Sequence, residues 1–171
     1  MIIVEGMDNT GKSTIAKLLG DTFQLPVVDR QGRPERDEQV IEQIMSFLLL
    51  DPPAILDRHP LISERVYGLV IRKRDIFEPP LKFNFFLERL LRDDPLIIYC
   101  RPDLARILNF TKGQMSGVEE TAEALVECYD DLISGLNRMC FNIYQYNYAN
   151  LYEPAPVIAV AASYLKSRGE I

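Results

Sequence analysis

Eight residues near the start of the chain, Gly6-Met7-Asp8-Asn9-Thr10-Gly11-Lys12-Ser13, place two glycines, a lysine and a hydroxyl at the spacing G-x-x-x-x-G-K-[ST], and Thr14 follows them. Each residue type has a physical use at that spacing. Glycine tolerates backbone angles that a Cβ would forbid, so Gly6 and Gly11 let successive amide groups converge on one anion. A helix that begins near Lys12 aims its positive end at the same point. The lysine would set its ammonium between the β- and γ-phosphates of a triphosphate, and the Ser13 hydroxyl would be a ligand for Mg²⁺. The chemistry implied is the binding of a nucleoside triphosphate with its metal; the loop by itself names no acceptor.

Such a loop has to be held between a strand and a helix, and the flanking residues provide both. Ile2-Ile3-Val4-Glu5 reads as a short buried strand, and Ile15, Leu18 and Leu19 recur at helical spacing after the loop. Further along, the pattern repeats: a strand over Leu25–Arg30, a turn at Gln31-Gly32-Arg33-Pro34, and a helix over Asp37–Leu50 with Val40, Ile44, Phe47 and Leu48 on one face. Pro52 and Pro53 stop that helix, and Ala54-Ile55-Leu56 is a buried strand ending in Asp57-Arg58. Ile62–Arg74 reads as a helix with Val66, Leu69 and Val70 inward, and Leu81–Arg92 as another beyond Pro79-Pro80. A strand over Pro95–Cys100 is closed by Arg101-Pro102, and Asp103 is placed to cap a short helix. After a polar stretch, Val118, Ala122, Leu125, Tyr129, Leu132 and Leu136 form the apolar stripe of a long amphipathic helix whose other face is acidic. Phe141–Tyr148 reads as the last strand and Pro156–Lys166 as the last helix.

Strands alternating with helices predict an α/β fold, a parallel sheet of five strands covered by helices on both faces, with ligands at the carboxyl ends of the strands. The chemistry-bearing residues fall there: the glycine loop, Asp29-Arg30, Asp57-Arg58 and Arg101. The length of 171 residues suits one domain over 1–171, and a 47% hydrophobic composition suits a globular protein rather than a disordered one. A net charge of −6 argues against a nucleic-acid partner. No apolar run approaches a membrane span, and the chain opens directly into a strand without a signal peptide, so a cytoplasmic protein is expected. The three cysteines, Cys100, Cys128 and Cys140, lack metal-binding spacing and read as buried reduced thiols.

Asp57-Arg58 is the second constellation. A carboxylate at the end of a buried strand is where the metal-associated acid of a phosphoryl-transfer site belongs, and an arginine beside it can grip phosphate oxygens bidentately.

With both constellations in view, the chain resembles the thymidylate kinases. Val4–Thr14 resembles their E-G-x-D-G-x-G-K-[ST]-T loop, and Asp57-Arg58-His59 with Ser63 and Val66-Tyr67-Gly68 resembles their D-R-[YH]-x-x-S-x-x-A-Y segment, with about one residue extra. The segment Asp57–Gly68 is still more similar to the short nucleotide kinases of bacteriophages, a source that would place the protein in the host cytoplasm. The resemblance implies a three-layer P-loop kinase fold and ATP- and Mg²⁺-dependent phosphorylation of a (deoxy)nucleoside monophosphate. It makes Gly6, Asn9, Thr10, Gly11, Lys12, Ser13 and Thr14 the ATP-binding residues, with Ser13 and Asp57 toward the metal. Asp8 would approach the acceptor sugar, Arg30 the acceptor phosphate, and Arg58 both donor and acceptor phosphates. A small lid is expected at about 109–117, and a homodimer is implied by the resemblance alone.

The departures from that pattern limit what carries over. Asn9 stands for a glycine, Gln31-Gly32-Arg33-Pro34 for E-P-G-G, and Cys100 for a strand aspartate; the span from Arg30 to Asp57 lacks the helix that bears the family's base-stacking phenylalanine. The acceptor base therefore stays open. Phe47, Tyr67, Phe83, Phe85 and Phe86 are candidates to face it, Arg72, Lys73 and Arg74 could reach phosphate or base, and Arg33, flanking Asp29 with Arg30, favours an anionic acceptor. His59, the only histidine, reads as structural. For the charge that stabilises the transferring phosphoryl, Arg101, Arg106 and Lys112 are the candidates, with Arg106 preferred because it leads into the lid. Two other readings stay open. A deoxynucleoside kinase needs a general base near its neutral acceptor, for which Asp29 is the acid at the second strand end. A P-loop switch or NTPase module is the other, although no N-K-x-D element is present.

Overall fold

The computed structural model describes residues 1–29, 36–50, 53–109, 117–118, 120–147 and 154–171, and only the backbone of 108 and 109. Its strands are β1 (Ile2–Glu5), β2 (Val27–Asp29), β3 (Ile55–Asp57), β4 (Leu96–Cys100) and β5 (Asn142–Tyr146), and its helices are α1 (Lys12–Phe23), α2 (Asp37–Leu48), α3 (Pro60–Val70), α4 (Leu81–Arg92), α5 (Leu104–Asn109), α6 (Ala122–Arg138) and α7 (Ala155–Ser167). All the strands pair in parallel in the order β2-β3-β1-β4-β5. β1, β3 and β4 are buried throughout, as strands covered on both faces are.

The two faces carry separate cores. Ile2, Val4, Ile55, Leu96 and Ile98 pack with Ile15 and Leu19 of α1 and Val157 and Leu165 of α7. Ile3, Leu56, Ile97 and Tyr99 point the other way and pack with residues of α2, α3, α4 and α6. Alternation along β1 thus sends Glu5 to the same face as Ile3, toward α3 and α6. β1 is central, with β3 on one side and β4 on the other, so the chain reverses its lateral direction around the carboxyl end of β1. That is the crevice where open parallel sheets bind ligands, and residues 6–11 lie in it.

Several sequence expectations need correcting. The third helix runs over Pro60–Val70 rather than 62–74: Pro60 occupies its first turn, His59 caps it, and the amides of Ile71 and Arg72 both close on the Tyr67 carbonyl to end it. Arg72, Lys73 and Arg74 therefore lie in the turn beyond the helix, and Leu69 is exposed. The second helix stops at Leu48, Val118 is buried ahead of α6 rather than within it, and Leu132 is only partly buried while Val126 and Ile133 extend the apolar stripe. The last strand is shorter than expected at both ends. Of the cysteines, Cys100 is buried, Cys128 half-buried and Cys140 exposed. The Asp103 carboxylate accepts from Asn147 Nδ2 at 3.4 Å. Nearly all of the expected lid, together with Arg30, Arg33 and Lys112, lies outside the described residues.

Candidate functional site

The glycine loop has the backbone its sequence requires. Gly6, Asn9 and Gly11 all have positive φ, at 140°, 59° and 82°. A Cβ on Gly6 would stand 2.5 Å from the carbonyl oxygen of Cys100, so the close approach of β4 demands glycine there. Asparagine is among the side chains that accept the left-handed region, which is how Asn9 replaces a glycine. Inside the loop, Thr10 Oγ1 donates to the Met7 carbonyl at 2.8 Å, and the Lys12 ammonium donates to the same oxygen. Burial first, and then the charge of Arg58, pushes the Lys12 ammonium down to about 8. Ser13 and Thr14 are exposed in the first turn of α1, which contains no acidic residue to offset its positive end.

The turn after β3 meets this loop. Asp57, at the end of the strand, pairs in register with Val4 on one side and Asp29 on the other. Arg58 adopts φ 76°, a conformation that costs a non-glycine residue about 1–2 kcal/mol. Two residues of β1 hold it there. The Arg58 amide donates to the Val4 carbonyl at 3.0 Å, and the next amide, that of His59, donates to Glu5 Oε1 at 2.6 Å. The guanidinium lies over the Tyr67 ring at 5.2 Å and forms an ion pair with Asp8 through Nη2. Its Nη1 is buried and has no hydrogen-bond partner. An arginine donor in that state is suited to an incoming oxyanion.

Glu5 is the residue sequence reading passed over. It is fully buried and accepts from the amides of His59 and Gly6, the latter at 3.3 Å, and from the Tyr129 hydroxyl at 3.4 Å. Burial pushes its carboxyl up to about 7, against the opposing pull of Arg58 and of the His59 amide. Tyr129, also fully buried, stacks on Tyr99 at 6.0 Å and meets Tyr67 edge-on at 6.3 Å. There was a signal for both: a carboxylate closing an otherwise apolar buried strand needs donors, and Tyr129 is the polar-tipped member of the α6 stripe.

His59 is buried and neutral, with burial pushing its imidazole down to about 3. Its Nδ1 accepts from the Leu61 amide at 3.1 Å, which caps α3, and its Nε2 finds no partner. Phe47 packs against it at 5.7 Å. The Tyr67 hydroxyl lies beside Arg58 and Asp8 with no hydrogen bond of good geometry to either.

The structure thus brings Asp8, Lys12, Asp57, Arg58 and Tyr67 together and leaves other candidates apart. Arg72 forms an ion pair with the buried Glu64, and Arg74 one with Asp37. Arg101 grips Asp130 through Nε and Nη2, and its Nη1 donates to the Pro102 carbonyl at 2.7 Å. Arg101 and Asp130 also line a cavity of about 620 Å³ between β4, β5 and α6. Arg106 is exposed on α5 and forms no ion pair with a described residue. Phe83 packs edge-on against Phe77 at 5.3 Å; Phe86 is buried, and Phe85, in edge contact with it, is exposed. Among the described residues no helix is long and apolar enough to cross a membrane.

No protein-family model and no curated protein sequence matches the chain. Solved structures do match in fold. The YorR protein of Bacillus subtilis, in complex with phosphorylated GDP, superposes with a TM-score of 0.74 at 18% identity over 98% of this chain and 97% of that one. Deoxyadenosine kinase of M. mycoides, with dCMP and a flexible dCDP bound, gives 0.58 at 17% identity, over 97% and 98%. Thymidylate kinase of Candida albicans gives 0.57 at 15%, over 99% and 92%. The fold is that of the P-loop nucleotide kinases, in accord with the sequence expectation.

Proposed function

We propose that the protein transfers the γ-phosphoryl group of ATP to the phosphate of a (deoxy)nucleoside monophosphate. The observation that carries this reading is the junction of Arg58 with Asp8. A buried guanidinium from the β3 turn reaches into the phosphate loop and keeps Nη1 without a partner. In phosphoryl transfer the protein contributes positioning and charge rather than covalent chemistry, and a cation fixed between two sites for phosphate meets that need.

In this reading the loop amides beyond Gly6, up to residue 14, and the Lys12 ammonium hold the donor phosphates, with Gly6 giving the loop its turn. Lys12 exchanges the Met7 carbonyl for phosphate oxygens, which suits an ammonium whose burial leaves it poorly compensated. Arg58 sits between donor and acceptor, and Asp8 reads the acceptor sugar. Arg30 and Arg33 would meet the acceptor phosphate. The Ser13 hydroxyl and Asp57 carboxylate are the hard oxygen donors that Mg²⁺ prefers and would hold it on the protein side. When bound, it neutralises charge developing on the transferring group. Tyr67, under Arg58, keeps that guanidinium dry and in place.

A coupled assay with ATP against every natural monophosphate and nucleoside tests the reading. Turnover of at least one monophosphate is expected, and turnover of nucleosides alone would overturn it. The nucleoside alternative draws its support from Asp29, whose place at the carboxyl end of β2, in register with Asp57, suits a base acting on a neutral hydroxyl.

A further inference from the structure

We infer that Glu5 is a positioning residue for the transfer step: it clamps the turn that carries Arg58 against the phosphate loop. The inference rests on the proposed phosphotransfer and adds to it a residue outside the phosphate contacts. Three observations carry it. First, Arg58 is held at φ 76°, and a strained backbone persists only where its surroundings impose it. Its own amide is tied to the Val4 carbonyl, and the following amide to Glu5 Oε1 at 2.6 Å. Consecutive residues of β1 therefore grip consecutive residues of the turn, and the second grip is a short bond to a carboxylate. Second, the other oxygen of Glu5 accepts from the Gly6 amide, the first of the phosphate loop, so one side chain touches both halves of the site. Third, the Tyr129 hydroxyl reaches the same oxygen from α6, and the Tyr129 ring packs edge-on against Tyr67, on which the Arg58 guanidinium rests. The hydrogen bonds of Glu5 go to Gly6, His59 and Tyr129 and reach neither Ser13 nor Asp57, and its effect on the transferring phosphate passes through Arg58.

A carboxylate in a fully buried position is costly unless donors surround it. Leucine has nearly the same size and removes the charge, but in Glu5→Leu the His59 and Gly6 amides and the Tyr129 hydroxyl lose their acceptor, so thermal unfolding of the variant first establishes that it is folded at the assay temperature. Glutamine restores one acceptor oxygen for that amide. The experiment uses the full chain and reads two quantities: amide hydrogen exchange of His59 without nucleotide, and steady-state kinetics with ATP and the accepted monophosphate.

For E5L the expected result is His59 exchange about 100-fold faster and kcat lower by at least about 30-fold, with KM for ATP within about threefold. E5Q should recover most of both. In an Arg58→Ala background, E5L should cost less than about threefold further, because the clamp then has nothing to position. A wild-type kcat in E5L, or a loss that multiplies in full with that of R58A, overturns the inference. If the wild-type protein phosphorylates no acceptor, the kinase reading fails on its own. The exchange data still decide the clamp: faster exchange in E5L supports it, and unchanged exchange overturns it.

Discussion

Arg58 and Asp8 form an ion pair across fifty residues of sequence, and it joins the turn after β3 to the loop after β1. Neither side chain belongs to the same local element as the other. In the proposed reading, their meeting makes the glycine loop one half of a site for two phosphates. The consequences can be measured at four positions.

Arg58→Ala should lower kcat by about 10³-fold, the scale on which an arginine contributes to phosphoryl transfer, with KM for ATP little changed. Arg58→Lys should fail to restore activity, since an ammonium reproduces neither the planar fork nor the stacking on Tyr67. The coupled assay checks both. A wild-type rate in either variant removes Arg58 from the mechanism.

Lys12→Met should lose ATP-dependent turnover and yet unfold at a higher temperature without nucleotide. A lysine whose folded pKa is lowered toward 8 is held in its charged form at a cost throughout the range below that value. Removing it at pH 7 should stabilise the apo fold by about 1–3 kcal/mol, or several degrees in Tm. Thermal unfolding of both proteins in nucleotide-free buffer is the measurement. A lower Tm in K12M would mean that the bond to the Met7 carbonyl outweighs the cost of burial.

Glu5 should tilt stability with pH. Its folded pKa, about 7, lies above its ordinary value of 4.5, so the folded state binds the proton more tightly. Its contribution is therefore fullest below pH 4.5 and falls away as pH rises to about 7, by about 3 kcal/mol in all. Denaturant titrations of wild type and Glu5→Gln between pH 4.5 and 7.5 should show the two stability curves diverging, with the variant gaining on the wild type as pH rises. Parallel curves would show that the carboxyl titrates normally.

Gly6→Ala should destabilise the fold by about 2–4 kcal/mol, because the added Cβ would meet the Cys100 carbonyl at 2.5 Å and φ 140° is itself disfavoured. Gly169→Ala is the control: φ there is 67°, but nothing lies within 4 Å of the new atom, so about 1 kcal/mol is expected. Urea titration separates the two. Equal losses would mean that the backbone angle, rather than contact with β4, governs Gly6.

Local signals in the chain settle a good deal. The spacing of Gly6, Gly11, Lys12 and Ser13, the apolar strands before Gly6, Asp57 and Arg101, and the helical stripe of α6 could all be read directly, since each depends on neighbours a few residues away. Helix ends were less legible. Pro60 is a start signal that reads equally well as a break, which moved the start of α3, while the Ile71 and Arg72 amides that close on the Tyr67 carbonyl left Arg72 and Arg74 beyond its end.

The sequence by itself determined that a glycine loop lies between a strand and a helix of a parallel sheet, because glycine freedom and hydrophobic period act over short range. Only the tertiary structure decided which charges face that loop. Arg58 comes to Asp8 because β3 pairs beside β1. Arg72 goes to Glu64 and Arg101 to Asp130, which gives two of the candidate cations acidic partners. Glu5 gains its three donors from its own loop, the β3 turn and α6. A charge in a buried strand shows in sequence that partners are needed; which partners arrive depends on contacts between residues 50 to 124 positions apart, and no local period encodes them.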